Sequence, residues 1–227
     1  MSQEIQDMFG RIARRYDRAN RVLSFGIDIK WRKKAVRATG LELGESALDA
    51  ACGTGDLSFA LKRAAGPEGS IVGVDFTPEM VELAKAKAAK HGDVSFEEGD
   101  VTKLRFADDA FDAATISFGI RNVDDPVQGL REMRRVVRPD GRVVVLEFGQ
   151  PRGAWGAAYR AYSRFVMPPV GGLITSDKAA YKYLPRTAAA FPAGDAFLDL
   201  MREAGFSEVW ARPLSGGIAW LYVGVVD

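Results

Sequence analysis

Short apolar runs ending in glycine or an acid recur along the first two thirds of the chain, with amphipathic stretches between them. The runs are SALDAAC (46–52), SIVGVDF (70–76), VSFEEGD (94–100), FDAATISFG (111–119) and GRVVVLEFG (141–149). Each reads as a strand. Helical spacing falls between them, at Leu57 to Ala65 and at Pro78 to Lys90, where Pro78 suits a first turn. Val127, Leu130, Met133 and Val137 mark another helix, stopped by Pro139 and Gly141. Such alternation predicts a parallel sheet with helices on both faces. The 101–110 connection is short, with a turn at Asp108-Asp109; it leaves room for a brief helix that the pattern does not place.

Beyond Gly149 the pattern changes. Residues 150–192 read as helices and loops rich in aromatics, broken at Pro168-Pro169 and Gly171-Gly172. A helix near 194–204 then leads to SEVWARPL and IAWLYVGVV, joined by Ser215-Gly216-Gly217. That joint is a hairpin signal, so the last two strands are expected to be antiparallel to each other. Nothing resembles a repeat, a low-complexity stretch or an interdomain linker. One α/β domain over 1–227 is expected, with 1–40 as a helical lid and 150–192 as an insertion on the substrate side.

Charge changes the picture only at the N-terminus. The first 40 residues hold ten basic and four acidic side chains, a surplus of six in a chain whose net charge is +1. Ile5, Met8, Phe9, Ile12, Ala13 and Tyr16 recur at helical spacing, and Arg11, Arg14, Arg15 and Arg18 share an adjacent face. A basic amphipathic helix of this kind either lies on an anionic membrane or packs on its own domain. The near-neutral total argues against a nucleic-acid partner. One cysteine and one histidine exclude an internal disulfide, a cysteine zinc cluster and a multi-histidine site, so no metal is expected. No apolar run reaches the roughly 18 residues needed to cross a bilayer, and MSQEIQDMFGRIARRYDRAN has no signal-peptide core. The expected location is cytoplasmic, with contact at the inner face of the membrane and a homodimer left open. His91 reads as a helix-end residue, Cys52 as a quiet buried thiol, and Arg131, Arg134, Arg135 and Arg138 as a solvated helix face.

The segment LDAACGTGDLSFA carries the chemistry. It runs strand, loop, helix. Gly53 and Gly55 let the backbone turn tightly and approach a ligand, and the helix N-terminus then faces it. Asp75 ends the second strand twenty residues after Gly55, a position from which a carboxylate accepts hydrogen bonds from both ribose hydroxyls. Asp100, ending the third strand, is placed to receive an adenine amine. A dinucleotide loop would read G-x-G-x-x-G, but Ser58 holds the third glycine position. Asp49 and Asp56 add negative charge that would repel a pyrophosphate. They suit a ligand bearing ammonium and sulfonium charges, S-adenosyl-L-methionine.

The chain resembles the class I S-adenosylmethionine-dependent methyltransferases. More narrowly, it resembles the ubiquinone/menaquinone biosynthesis C-methyltransferase family. The likeness runs from Met8 to Val225 and is carried by MFGRIARRYDRANRVLSFGIDIKWRKKAV, LDAACGTGDLSFAL, DAATISFGIRNVDDPVQGLREMRRVVRPDGRVVVLEF and AYKYLPRTAAAFP. Departures are modest: Cys52 stands where many relatives have glycine, Asp28 where the common stretch has histidine, and Asp100-Val101 where Asn-Ala is frequent. The resemblance implies a Rossmann-like fold with a mostly parallel seven-stranded sheet. It implies cofactor contacts at Thr54, Asp75, Asp100, Val101 and Ser117, to which the loop reading adds Asp49, Gly53, Gly55 and Phe76. The implied reaction is methyl transfer to a ring carbon of a polyprenyl hydroquinone, most simply demethylmenaquinol to menaquinol. A demethoxyubiquinol-type benzoquinol or another small apolar acceptor is the alternative. A nicotinamide-dependent oxidoreductase and a nucleoside-binding module without chemistry are the readings from other classes.

Ring methylation asks for in-line alignment and for removal of a phenolic proton. Arg121 and Asn122 follow the fourth strand and are candidates to stabilise a phenolate and orient the ring oxygen. Arginine is a poor base, so water or Tyr16 is placed in the proton path. The bland reading of Arg121 is an ion pair to Asp17 or Asp124. Tyr16 and Asn20 lie on the lid, and Trp31, Tyr159, Tyr162, Tyr181 and Tyr183 are candidates to line a slot for the quinol.

Overall fold

The computed structural model describes residues 3–91 and 94–227. The side chains of residues 90 and 91 are outside that description, and the reading of His91 with them. Seven strands form one sheet: β1 (Ser46–Ala50), β2 (Ser70–Asp75), β3 (Ser95–Glu98), β4 (Phe111–Ser117), β5 (Val137–Phe148), β6 (Glu208–Leu214) and β7 (Ala219–Val225). Their spatial order is β3-β2-β1-β4-β5-β7-β6. The first five are mutually parallel, and β7 runs antiparallel to both β5 and β6. The mostly parallel sheet with a terminal hairpin is as the sequence implies.

Strands β1, β4 and β7 are buried almost end to end, as expected of strands covered on both faces. Alternate residues serve different cores. Leu48, Ala50, Ala114 and Ile116 pack with Leu130 and Met133 of α5 (Pro126–Arg135) and Phe197 and Met201 of α9 (Asp195–Glu203). Ala47 and Ala113 pack with Leu57 and Leu61 of α3 (Asp56–Ala65) and Val81 and Ala84 of α4 (Pro78–His91). On β5, Val144 and Leu146 meet Trp31 and Ala35 of α2 (Ile27–Thr39). Edge strand β6 accommodates Pro213, where no ladder donor is missed.

Two local expectations are corrected, and of two alternatives for the N-terminal helix the packed one is seen. The helix read as running to Val137 ends at Arg135, and Val137 opens β5 opposite Phe111. Pro139 to Gly141 lie in that strand's irregular start, where the register shifts and Asp140 takes φ 66°. A Cβ on Gly141 would lie 2.5 Å from Val137, so the glycine permits a fold-back. Likewise, Pro168, Pro169, Gly171 and Gly172 do not break the chain. They lie inside α7 (Met167–Thr175), the prolines in its first turn. A Cβ on Gly171 would lie 2.3 Å from the Tyr181 ring, so that glycine admits α8 (Ala180–Ala190) at close range. Finally, the apolar stripe of α1 (Gln3–Leu23) is not left for a membrane. Met8, Ile12, Ala19 and Leu23 are buried with Met167, Ala180 and Tyr181. The remaining helix, α6 (Gly153–Phe165), stands on the same side.

Candidate active site

The chain leaves β1 outward through β2 and β3, then returns across the sheet to β4 on the other flank of β1. A parallel sheet opens a crevice at such a reversal, at the carboxyl ends of the two middle strands. Both ends show backbone under strain. Ala51, just after β1, has φ 48°, and Phe118, just after β4, has φ 56°, a region L-residues other than Asn and Asp rarely adopt. The two turns nearly touch, since a Cβ on Gly119 would lie 2.5 Å from that of Ala51.

Gly53 and Gly55 both take positive φ, 56° and 86°. Their surroundings differ. A Cβ on Gly55 would strike Phe96 at 2.6 Å, whereas one on Gly53 would meet open space. Gly55 therefore lets α3 start against the sheet core, and Gly53 leaves room above the loop for a ligand. Asp75 accepts from Gly53 N and Thr77 N, each at 2.8 Å. Burial pushes its carboxyl above the usual range despite those donors. Asp100 accepts from the Thr102 amide and hydroxyl at 2.9 and 2.8 Å, beside buried Val101. The Phe76 carbonyl accepts from Gln6 of α1 at 2.8 Å. Ser117 Oγ is buried with no hydrogen-bond partner among the described residues, which marks a polar atom whose partner is a ligand or water.

Asp49 lies beneath the glycine loop. It accepts from Ser58 Oγ at 2.5 Å and Thr115 Oγ1 at 2.9 Å. Burial pushes its carboxyl from 3.8 up to about 6, in spite of both hydroxyls. Ser58 thus replaces the third glycine of a dinucleotide loop with a side chain pinned to a buried acid. A pyrophosphate is disfavoured there; a cationic ligand is not. An open space over Gly53, an orphaned Ser117 hydroxyl and buried carboxylates together fit S-adenosylmethionine. Burial also raises the Cys52 thiol well above its ordinary value.

Thr54 is directed elsewhere than expected. Its hydroxyl donates to Asp17 of α1 at 2.6 Å and accepts from Lys87 of α4 at 2.9 Å. Lys87 also reaches Asp17 and Asp56. Asp17, one of two acids considered for Arg121, is therefore occupied. Arg121 closes instead on Glu147 of β5 at 2.8 Å, both side chains being almost wholly buried, and donates to the Phe118 carbonyl. Nothing in the sequence separation of 26 residues announced this pair. Asn122 accepts from the Tyr183 hydroxyl at 3.0 Å.

A cavity of about 360 Å³ opens beside Phe118. Trp31, Tyr159, Tyr162, Phe148, Leu184 and Ile218 supply apolar wall, and Tyr16, Asn20, Ser24, Asp28 and Arg32 supply one polar end. None of the nine candidate cofactor residues lines it, nor do Arg121 and Asn122. Tyr181 and Tyr183 also stay outside it: Tyr181 packs in the α1–α7–α8 cluster. A smaller cavity of about 120 Å³ shares Phe148, Tyr159, Met167 and Leu184 with the first. Burial raises the Tyr16 phenol and pushes that of Tyr159 up to about 12. Both stay protonated at neutral pH, so Tyr16 is a donor in the cavity and not a base.

Asp28 is the residue sequence reasoning passed over. Among the described residues it is the one carboxylate on the cavity wall. Ser24 Oγ donates to it at 2.7 Å, and Arg21 and Arg32 both pair with it. Burial alone would raise its carboxyl, but those donors outweigh burial and hold it below the usual range. The signal available was its place where the family's common stretch has histidine.

Among the described residues no group of His, Cys, Asp and Glu is arranged to hold a metal, and no helix is long and apolar enough to cross a membrane.

The family model described as the ubiE/COQ5 methyltransferase family matches residues 1–226. A relative from Bdellovibrio bacteriovorus, named ubiquinone/menaquinone biosynthesis C-methyltransferase UbiE, is 49% identical over 98% of this chain and 95% of its own. A demethylmenaquinone methyltransferase from Deinococcus radiodurans is 46% identical over 98% and 92%. The fold is shared with a SAM-dependent methyltransferase from Thermotoga maritima, at TM-score 0.69 and 23% identity, covering 97% of this chain and 99% of that one.

Proposed function

The chain belongs to the ubiE/COQ5 methyltransferase family, and from that premise we propose that it methylates a ring carbon of a polyprenyl quinol, a demethylmenaquinol. It is an S-adenosylmethionine-dependent methyltransferase. The observation that carries a prenylated acceptor is the cavity, whose lining joins aromatic and aliphatic walls to Tyr16, Asn20, Ser24, Asp28 and Arg32. A prenylated hydroquinone has that same division, a hydroxylated ring on a hydrocarbon tail. The naphthoquinol ring is favoured by relatives named demethylmenaquinone methyltransferase.

When bound, S-adenosylmethionine supplies a methyl group already activated on a sulfonium. The residues that would hold it are Asp75 and Asp100 for its polar groups, Ser117 with its free hydroxyl, and Gly53, Gly55, Phe76 and Val101 along the loop and strand ends. Thr54 contributes by fastening α1 over that loop. Asp49 contributes negative charge below it.

Chemistry at the acceptor falls to the cavity's polar end. Asp28 accepts the hydrogen of the ring hydroxyl, which raises electron density at the neighbouring carbon. Tyr16, held protonated, donates to the ring oxygen. Arg32 and Arg21 keep Asp28 ionised without sealing it off, since it remains on the cavity wall. Arg121, paired with Glu147, braces the turn behind Phe118 and Phe148, its guanidinium lying 5.3 Å from the Phe148 ring centroid. Asn122 and Tyr183 brace the same turn. Helix α1 lines the acceptor cavity with Tyr16, Asn20 and Leu23 and reaches the glycine loop through Asp17.

The test is transfer of labelled methyl from S-adenosylmethionine to short-tailed demethylmenaquinol and to a matching demethoxyubiquinol-type benzoquinol. Ring label in the naphthoquinol, at the higher kcat/KM, is expected. Higher kcat/KM on the benzoquinol would replace the acceptor, and no ring label in either, with cofactor binding intact, would overturn the quinol reading.

A further inference from the structure

The cavity opens to solvent between two corners of the chain that are both apolar at the tip and basic at the flank. At the first corner, where α1 passes into α2, Phe25 is 80% exposed, with Val22, Ile27 and Ile29 also exposed. At the second, on α6, Trp155 is 54% and Phe165 68% exposed. The corners are one surface. Tyr162 donates its hydroxyl to the Leu23 carbonyl at 2.8 Å and lays its ring 6.0 Å from that of Phe25. Phe165 follows Tyr162 by one helical turn. Phe25, Ile27 and Trp155 also line the cavity, which places them at its mouth.

Charge on these segments is far from that of the whole chain. Residues 18–37 and 149–176 together hold ten of the 31 basic residues and one of the 30 acids. That acid, Asp28, is buried and paired inward. On α2, Ile27 shares a stripe with Lys30 and Lys34, and Ile29 shares the next with Lys33, the spacing of side-by-side residues on a helix. All three lysines are exposed. Aromatic tips flanked by lysines and arginines, with acids removed, complement a layer that is apolar within and anionic at its surface.

We propose that this face docks on an anionic lipid bilayer, with Phe25, Trp155 and Phe165 entering the headgroup boundary and the cavity mouth against the membrane. The proposal rests on the acceptor being a polyprenyl quinol, whose tail would pass between bilayer and cavity without crossing water. It differs from the membrane role first read into α1, because the apolar stripe of that helix is spent inside the protein.

Co-sedimentation of the full chain with vesicles of phosphatidylcholine, with and without a third of phosphatidylglycerol, tests it. We expect at least ten-fold stronger partitioning to the anionic vesicles, weakened several-fold between about 50 and 300 mM salt. The variant Phe165→Ser/Lys30→Glu/Lys34→Glu, none of whose positions line the cavity, should lose at least ten-fold in partitioning. It should keep turnover on a short-tailed, water-soluble quinol and lose turnover on a long-tailed quinol supplied in vesicles. Equal partitioning of parent and variant, or no preference for anionic vesicles, would overturn the proposal. A dimer broken by the variant, with no vesicle binding by either protein, would overturn it too and assign the face to a second copy of the chain. If vesicle binding behaves as expected while no quinol of any tail length is methylated, the docking face stands and the acceptor assignment falls.

Discussion

Replacing Asp49 with asparagine keeps the outline of a buried residue and removes its charge. In the parent the carboxyl is moved from 3.8 to about 6 by burial that two hydroxyls only partly offset. The folded state therefore holds the proton more tightly than the unfolded state does. Between pH 3.8 and about 6 the native chain keeps a proton that the unfolded chain has lost, so stability falls as pH rises through that window and the cost is constant above it. A displacement of that size corresponds to about 3 kcal/mol. The substituted amide can still accept from one hydroxyl and donate to the other, so the packing with Ser58 and Thr115 survives. The Asp49→Asn protein should be more stable than the parent by up to about 3 kcal/mol at about pH 7.5, and the two should converge near pH 4. Urea unfolding at four pH values reads this directly; taking the difference between the proteins removes the shared contribution of Glu147, while the coupling of Asp75 to Asp49 is part of what the difference reads. Calorimetry with S-adenosylhomocysteine supplies the second half. If Asp49 is retained for a cationic ligand, affinity at neutral pH should fall about ten-fold, or about 1.4 kcal/mol. Stability curves that stay parallel across the window would refute the electrostatic account. A more stable variant with undiminished affinity would refute the functional one.

Three further substitutions probe separate parts of the site. Asp28→Asn should lower kcat about a hundred-fold, the ordinary contribution of a positioned proton acceptor, with S-adenosylhomocysteine affinity unchanged; a comparable loss in cofactor affinity would remove Asp28 from its role. Glu147→Ala strands the Arg121 guanidinium in the interior and should cost about 3–5 kcal/mol by urea unfolding, while a cost below about 1 kcal/mol would mean that water reaches the pair. Asp75→Ala should weaken S-adenosylhomocysteine binding by about ten- to a hundred-fold, as loss of hydrogen bonds to a charged group does, and binding at parental affinity would place the sugar elsewhere.

What could be read from the sequence was what is local. Gly53, Gly55 and Asp75 follow one another at fixed spacing within a strand–loop–helix–strand unit, so the loop and its acid were visible. Asp49 was seen as a charge, but its partners Ser58 and Thr115 meet it only once β1, α3 and β4 pack. Glu147 was invisible because it meets Arg121 only once the turn after β4 folds against the end of β5. At the strained turns the positive φ falls on Ala51 and Phe118 and not on a glycine, so they gave no signal. Pro139 and Gly141 misled because the same residues that stop a helix also shape a bulge, and only burial of Val137 on the strand decides between the two. The acceptor cavity draws its walls from α1, α2, α6, α8 and the β6–β7 turn, and no local motif marks such an assembly. Asp28 was noticed only as a departure from the family's histidine.

The two chambers are joined by one helix. Tyr16, Asn20 and Leu23 of α1 line the acceptor cavity, while Gln6 bonds the Phe76 carbonyl, Gly10 lies against Glu79, and Asp17 fastens Thr54 and Lys87 over the glycine loop. The helix is held differently on its two sides. Toward α7 and α8 it is held by Met8, Ile12, Ala19 and Leu23, a continuous buried apolar stripe. Toward the glycine loop it is held by a polar network in which Asp17 meets buried Thr54 and half-buried Lys87. One helix therefore carries both the contacts to the cofactor loop and two residues of the acceptor cavity, so a substitution that loosens Asp17 from Thr54 bears on Tyr16 and Asn20 as well.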